Sequence, residues 1–196
     1  MQWMKILCFS VLMELALTAA DQRQLAADSL WTDDRGASIP MDALFSGTDL
    51  VIVDFMFTSC QHSCPLATAH LRRLYQALGP RVGSEVKFVS LSIDPEKDTS
   101  EALRAYKARF HLGADWGFYR GDLAAVMKLQ EELLTKAREK DPQLRWQHGK
   151  SFLIGQPKTQ TWIVQNLEEA PARLLAAMDA MQYVRTPAKS SSHSSL

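Results

Sequence analysis

Cysteine is scarce in this chain: three residues in 196, namely Cys8, Cys60 and Cys64. That is too few for a disulfide-stapled scaffold. Excess charge of either sign is missing too, since 22 basic side chains are matched by 22 acidic ones. A general nucleic-acid binder normally carries a clear basic surplus, so that class falls away. Long hydrophobic runs are also absent. The N-terminal stretch Ile6 to Leu17 is mostly apolar, but Glu14 interrupts it, and it falls short of the roughly 20 residues that span a bilayer. What is present is ordinary: 46% apolar residues, too many for a disordered chain. No internal repeat is visible, and the length suits one domain with tails.

The ends read as processing and tail segments. Lys5 supplies a positive charge, an apolar stretch follows, and Thr18-Ala19-Ala20 precedes polar Asp21-Gln22. This is the pattern of a secretory signal over residues 1–20, cut after Ala20 or retained as an anchor. It predicts export to the periplasm or cell envelope, with an uncut segment tethering the protein to the inner membrane. Cys8 lies within this segment and lacks the small residue that usually precedes a lipidated cysteine. Residues 21–29 read as a linker, and 185–196, rich in Ser, as a disordered tail in which His193 stands alone. Removal of the signal leaves two cysteines, Cys60 and Cys64. A bridge across three residues closes too small a loop to stabilise much, so the pair points to chemistry.

Between the ends, residues 30–184 read as one α/β domain. Leu50 to Phe57 is a run of strand formers apolar enough to be buried on both faces. A helix is predicted from Pro65 to Leu78, stopped by Gly79-Pro80. Val86 to Ile93 is a second buried strand, and Asp98 or Thr99 can cap a helix running to Phe110. Trp116 to Tyr119 is a short strand, Asp122 to Glu139 a helix, and Phe152–Ile154 with Thr161–Val164 a hairpin. Glu168 to Tyr183 closes the domain as a helix. This order predicts a mostly parallel central sheet with an antiparallel edge hairpin and flanking helices. Ligand sites in such sheets lie beyond the carboxyl ends of the strands, where Cys60 and Cys64 fall.

The segment Phe57-Thr-Ser-Cys60-Gln-His-Ser-Cys64-Pro65 therefore carries the site. Cys64 is expected at a helix N-terminus, where free N–H groups and the helix dipole lower a thiol's pKa. Two soft sulfurs at one mouth suit Cu(I), Zn(II) or reversible disulfide formation. The bland alternative is a pair of buried cysteines acting as small hydrophobes.

With these residues in view, the chain resembles the Sco/SenC family. The resemblance rests on Cys60-x-x-x-Cys64-Pro65 after a buried strand, on Asp94-Pro-Glu-Lys-Asp98-Thr99 after the next strand, and on His148 ahead of an apolar strand. It covers roughly residues 30 to 183. It implies a thioredoxin-like fold and a protein that delivers copper to the binuclear copper site of cytochrome c oxidase subunit II, or acts on that site as a thiol–disulfide reductant. It further implies that Cys60 and Cys64 supply two sulfur ligands, His148 the imidazole, and Asp94 support for the loop. Two thiolates and one neutral imidazole suit Cu(I) and leave it releasable, whereas a closed four-ligand set would suggest structural zinc. Gln147 stands where an acidic residue often precedes the family's histidine, and His62 is a second candidate imidazole.

The remaining candidates have plainer readings. His70 reads as a partly exposed helix residue and His111 as a capping or surface residue. Met56, Met178 and Met181 read as core, and Trp146 and Trp162 as hydrophobic bulk near the mouth of the site. Lys136 to Lys140 mixes signs and reads as a solvated helix face. Two functions remain. One is a copper metallochaperone serving an exported copper or thiol protein. The other is a thiol–disulfide oxidoreductase in which Cys60 and Cys64 attack and resolve a partner's disulfide. A peroxiredoxin is disfavoured because Phe57 takes the position of its active-site Thr or Ser.

Overall fold

A computed structural model describes residues 30–137, 149–169 and 171–183. The segments read as signal, linker and tail fall outside these residues, as do Cys8, Trp146, Gln147, His148 and His193. The described chain starts with β1 (Leu30–Asp33), β2 (Ser38–Pro40) and the short helix α1 (Met41–Phe45). The core βαβαβ unit follows: β3 (Leu50–Met56), α2 (Ser63–Leu78), β4 (Val86–Ser92), α3 (Ser100–Arg109) and β5 (Trp116–Arg120). Helix α4 (Leu123–Lys136), strands β6 (Ser151–Gln156) and β7 (Thr161–Asn166), and helix α5 (Pro171–Tyr183) complete it. None of these helices is long and apolar enough to cross a membrane.

Local chemistry sets several boundaries. The Thr99 hydroxyl accepts the Ala102 N–H at 3.2 Å and the Asp122 carboxylate accepts that of Ala125 at 3.0 Å, so both helices start where a capping oxygen is available. Gly79, at φ 53°, ends α2. Helix α5 starts only at Pro171, because proline favours the first turn over an interior position.

The seven strands form one sheet in the order β2-β1-β5-β4-β3-β6-β7. Strand β3 pairs in parallel with β4, and β4 with β5, while β1–β5, β1–β2, β3–β6 and β6–β7 are antiparallel. The expected α/β sheet with flanking helices and an edge hairpin is present, but it is mixed rather than mostly parallel, since the β6–β7 hairpin joins β3 antiparallel and β1 joins β5 antiparallel. The antiparallel share is larger than the pattern conveyed, because β1 and β2 add a second hairpin at the far edge. Every residue of β3 is buried. Leu50, Ile52 and Met56 pack with α2, α3 and α5, while Val51, Val53 and Phe55 face α1 and α4. Two helical layers thus sandwich the sheet, and the exit of β3 is aimed at the start of α2.

Met56 and Met178 are buried, and Met181 packs at the edge of the same core, as expected. Trp162 is buried against Phe45 on the face of α1 and α4, the opposite face from α2. It therefore contributes bulk but not at the cysteine loop.

Candidate metal and thiol site

Strand β3 ends at Met56 and the chain turns at once, the Phe57 carbonyl accepting the Cys60 N–H at 3.3 Å. Helix α2 then begins at Ser63, two residues earlier than the proline suggests, which draws Cys64 into its first turn. His62 flanks the helix start without offering a side-chain cap. A sulfur fills that role: Cys60 Sγ accepts the Cys64 N–H at 3.3 Å and lies 3.6 Å from the Ser63 hydroxyl. The Cys64 side chain instead turns inward, 1% exposed, and packs in the core with Ala67 and Leu71. Both thiols are free.

This arrangement reverses the expected division of labour between the thiols. Partial burial by itself would raise the Cys60 thiol, but bonds from the Cys64 N–H, the Cys64 thiol, the Ser63 hydroxyl and the His62 backbone hold it down to about 7. Burial pushes the Cys64 thiol up to about 12, reinforced by its bond to Cys60 and by the charges of Cys60 and Asp54. The helix N-terminus does acidify a thiol, as the sequence suggested. The beneficiary is the sulfur lying over the helix end, not the one borne by its first turn.

A carboxylate holds the loop from behind. Asp98, fully buried, accepts the Thr58 N–H at 3.0 Å, the Thr58 hydroxyl at 2.5 Å and the Ser92 hydroxyl at 2.6 Å. The sequence-based expectation gave loop support to Asp94. Its carboxylate accepts instead from Lys97 at 3.1 Å, near the surface. Both acids belong to one D-P-x-x-D turn, and the Asp98 N–H donates to the Asp94 carbonyl at 2.9 Å. That turn sends the second acid inward.

Beneath the site, Asp54 lies on the α2 face of β3. Ser90 donates its hydroxyl to the Asp54 carboxyl at 2.6 Å and accepts the Trp116 indole N–H at 2.8 Å. Burial pushes the Asp54 carboxyl up to about 7 despite the Ser90 bond. The native carboxyl keeps its proton above the ordinary value of 3.8, so stability should fall as pH rises from about 4 to 7 and then level off. Asp54→Asn keeps an acceptor for Ser90 and removes the titration. It should abolish that slope and be more stable than the wild type by about 2–4 kcal/mol at pH 8. Urea melts between pH 4 and 8 read this directly, and an unchanged slope in the variant would assign the titration to another group.

The other histidines take separate places. His70 is half-buried, with Nδ1 2.9 Å from the Leu167 carbonyl. His111 follows α3 at φ 52° and is exposed, and His62 is exposed between the cysteines. Among the described residues no group of three or more His, Cys, Asp or Glu converges as a metal cluster. A cleft of about 630 Å³ opens beside Ser63, between the α2 side chains Leu66 and His70 and the Gly149–Ser151 entry to β6.

Helices on both faces of a sheet whose strand β3 delivers two thiols to a helix start make this a thioredoxin-like protein. Its family follows from the sequence. A family model described as SCO1/SenC matches residues 20–182, and the chain belongs to that family. A SCO1 protein homolog of Bacillus subtilis (strain 168) is 32% identical over 87 residues, 44% of this chain and 44% of that protein. The aligned stretch thus spans less than half of that relative. Yeast Sco1 with copper bound superposes with a TM-score of 0.61 at 16% identity, covering 82% of this chain and 94% of that one. BsSco, described as having a disulfide switch and as a member of the Sco family of cytochrome c oxidase assembly proteins, gives 0.61 at 23%, covering 79% and 91%. At these identities the solved structures establish the shared fold.

Proposed function

We propose that this protein is an exported copper metallochaperone, carrying Cu(I) on Cys60 and Cys64 and passing it to the binuclear copper site of cytochrome c oxidase. The observation that carries the reading is the free pair of thiols joined at one helix start, Cys60 near the surface and Cys64 behind it. Soft sulfur donors favour Cu(I), and a set short of four ligands leaves the ion transferable. His148 is the proposed imidazole ligand. It lies outside the described residues, but its chain neighbour Gly149 abuts Ser63 of the loop. His62 is the rival donor. The N-terminal segment supplies export, with residues 1–20 cut or kept as a tether. Relatives described as copper-bound and as oxidase assembly proteins support the choice of cargo and partner.

The reduced protein, titrated with Cu(I) against a chromophoric competitor, should bind one ion. Cys60→Ala and Cys64→Ala should each weaken binding by more than the 10–100-fold that loss of an outer partner costs at metal sites. His148→Ala should weaken it too, whereas His62→Ala should leave it unchanged. Affinity indifferent to both cysteines and to His148 would end the reading.

The unequal thiols favour a second activity at the same pair. Cys60, accessible and acidified, is suited to attack a partner's disulfide. Cys64, buried and protonated, is suited to resolve the mixed disulfide once Cys60 has reacted. That chemistry needs no histidine, so His148→Ala should spare it. An oxidised pair offers no thiolates, and the copper-loaded and disulfide forms therefore exclude one another.

A further inference from the structure

A residue without a side chain seats the entry to β6 on the cysteine loop. Gly149 has φ +82°, and a Cβ built on it would lie 2.7 Å from Ser63 Cβ, 2.8 Å from the Ser63 carbonyl carbon and 2.9 Å from its oxygen. Of the nine glycines in the chain, it alone has backbone atoms among the three nearest to such a Cβ. At Gly83, Gly113, Gly117, Gly121 and Gly155 the three nearest atoms all belong to side chains, and Gly36, Gly47 and Gly79 have nothing within 4 Å. Rotation of a side chain cannot relieve the contact at Gly149, since two of the three atoms are main chain.

Ser63 is the residue through which a shift would travel. It opens α2, its hydroxyl lies 3.6 Å from Cys60 Sγ, and the next residue donates its N–H to that same sulfur at 3.3 Å. We propose that Gly149 is a positioning residue: its bare Cα lets the entry to β6 press on Ser63, and that contact fixes the geometry of the two sulfurs. The inference rests on the thiol chemistry proposed above and adds a residue on a different strand to it. A disulfide needs its sulfurs about 2.0 Å apart within narrow angular limits, so displacement of Ser63 acts on the redox equilibrium before it acts on the fold.

The test uses the protein with Gly149→Ala, Gly149→Asn and Gly36→Ala. Asparagine tolerates a left-handed φ better than alanine but carries the same Cβ, which separates collision from backbone strain. Gly36, at φ +88° with open space around it, supplies comparable strain without collision. Each protein is equilibrated with glutathione, where Cys60 and Cys64 together give two electrons and two protons to glutathione disulfide and become the internal disulfide. Both variants at position 149 should lower the equilibrium constant for disulfide formation at least about tenfold, which is about 30 mV. Their Cu(I) affinity should fall by a similar factor. Gly36→Ala should lower Tm and leave both quantities alone.

Folded variants at position 149 with the wild-type equilibrium constant would overturn the proposal, as would an equal shift in Gly36→Ala. Should neither variant at position 149 fold while Gly36→Ala does, the contact serves the fold rather than the sulfurs, and the proposal is overturned. A wild-type protein that binds no copper would end the metallochaperone reading, while the glutathione equilibrium would still decide the role of Gly149.

Discussion

Iodoacetamide at pH 7 should modify the folded, reduced protein at Cys60 and leave Cys64 untouched. With one thiol held down to about 7 and the other pushed up to about 12, about half of Cys60 is thiolate at that pH but only about one part in 10⁵ of Cys64, and the thiolate is the nucleophile. Burial of the Cys64 side chain adds a steric barrier. Mass spectrometry should find one adduct on the native protein and two after unfolding. The rate at Cys60 should rise through pH 7 and reach a plateau by about pH 8.5. A profile centred near 9, the ordinary thiol value, would mean that the bonds from Cys64 and Ser63 do not act on the sulfur. Equal labelling of both cysteines in the native state would place Cys64 at the surface.

Replacement of Asp98 by alanine should be far more damaging than replacement of Asp94. Asp98→Ala strands the fully buried Ser92 hydroxyl and takes the partner from the N–H and hydroxyl of half-buried Thr58. Hydrogen bonds to a charged group contribute about 1.5–3 kcal/mol each and do not add fully, so the expected loss is about 3–5 kcal/mol. For a domain of this size that is about 10 °C or more in Tm. Thr58 lies two residues ahead of Cys60, so Cu(I) affinity should fall with it. Asp94→Ala breaks one pairing with a largely exposed Lys97, worth under about 1 kcal/mol. Thermal melts of the two variants read the contrast, and equal losses would show that the turn is supported from Asp94 after all.

Legibility of the fold followed the strength of the local pattern. The run Leu50–Met56 announces a strand because every residue on it is buried, and α3 and α4 announce their starts because Thr99 and Asp122 are capping residues. Strands β1 and β2 and helix α1 are only four, three and five residues long. Elements so short show no period, and Trp31 is buried because β1 lies beside β5, 80-odd positions later in the chain. The parallel centre could be inferred from strands alternating with helices, but the antiparallel flank on β5 comes from a segment with no such signal.

The site was legible as a place and not as a division of roles. Cys60-x-x-x-Cys64-Pro65 behind a buried strand located the thiols, because that order of residues forces a turn and then a helix. Which sulfur is acidified depends on where the helix starts, and a start at Ser63 turns Cys64 inward and leaves its N–H to Cys60. The D-P-x-x-D spacing offered two carboxylates, and only the closed turn decides that Asp98 reaches Thr58. Gly149 carried no signal at all, since its importance is the closeness of a backbone 86 positions away in sequence.

The sequence by itself determined that two thiols sit at a strand-to-helix junction in an α/β domain, because periodicity, capping residues and short-range spacing are local properties, and its match to the SCO1/SenC family model placed that domain in its family. Only the tertiary structure decided which thiol ionises, which acid anchors the loop and which strand entry presses on it. Those outcomes depend on burial and on hydrogen bonds between segments distant in the chain, and neither exists until the sheet has closed around α2.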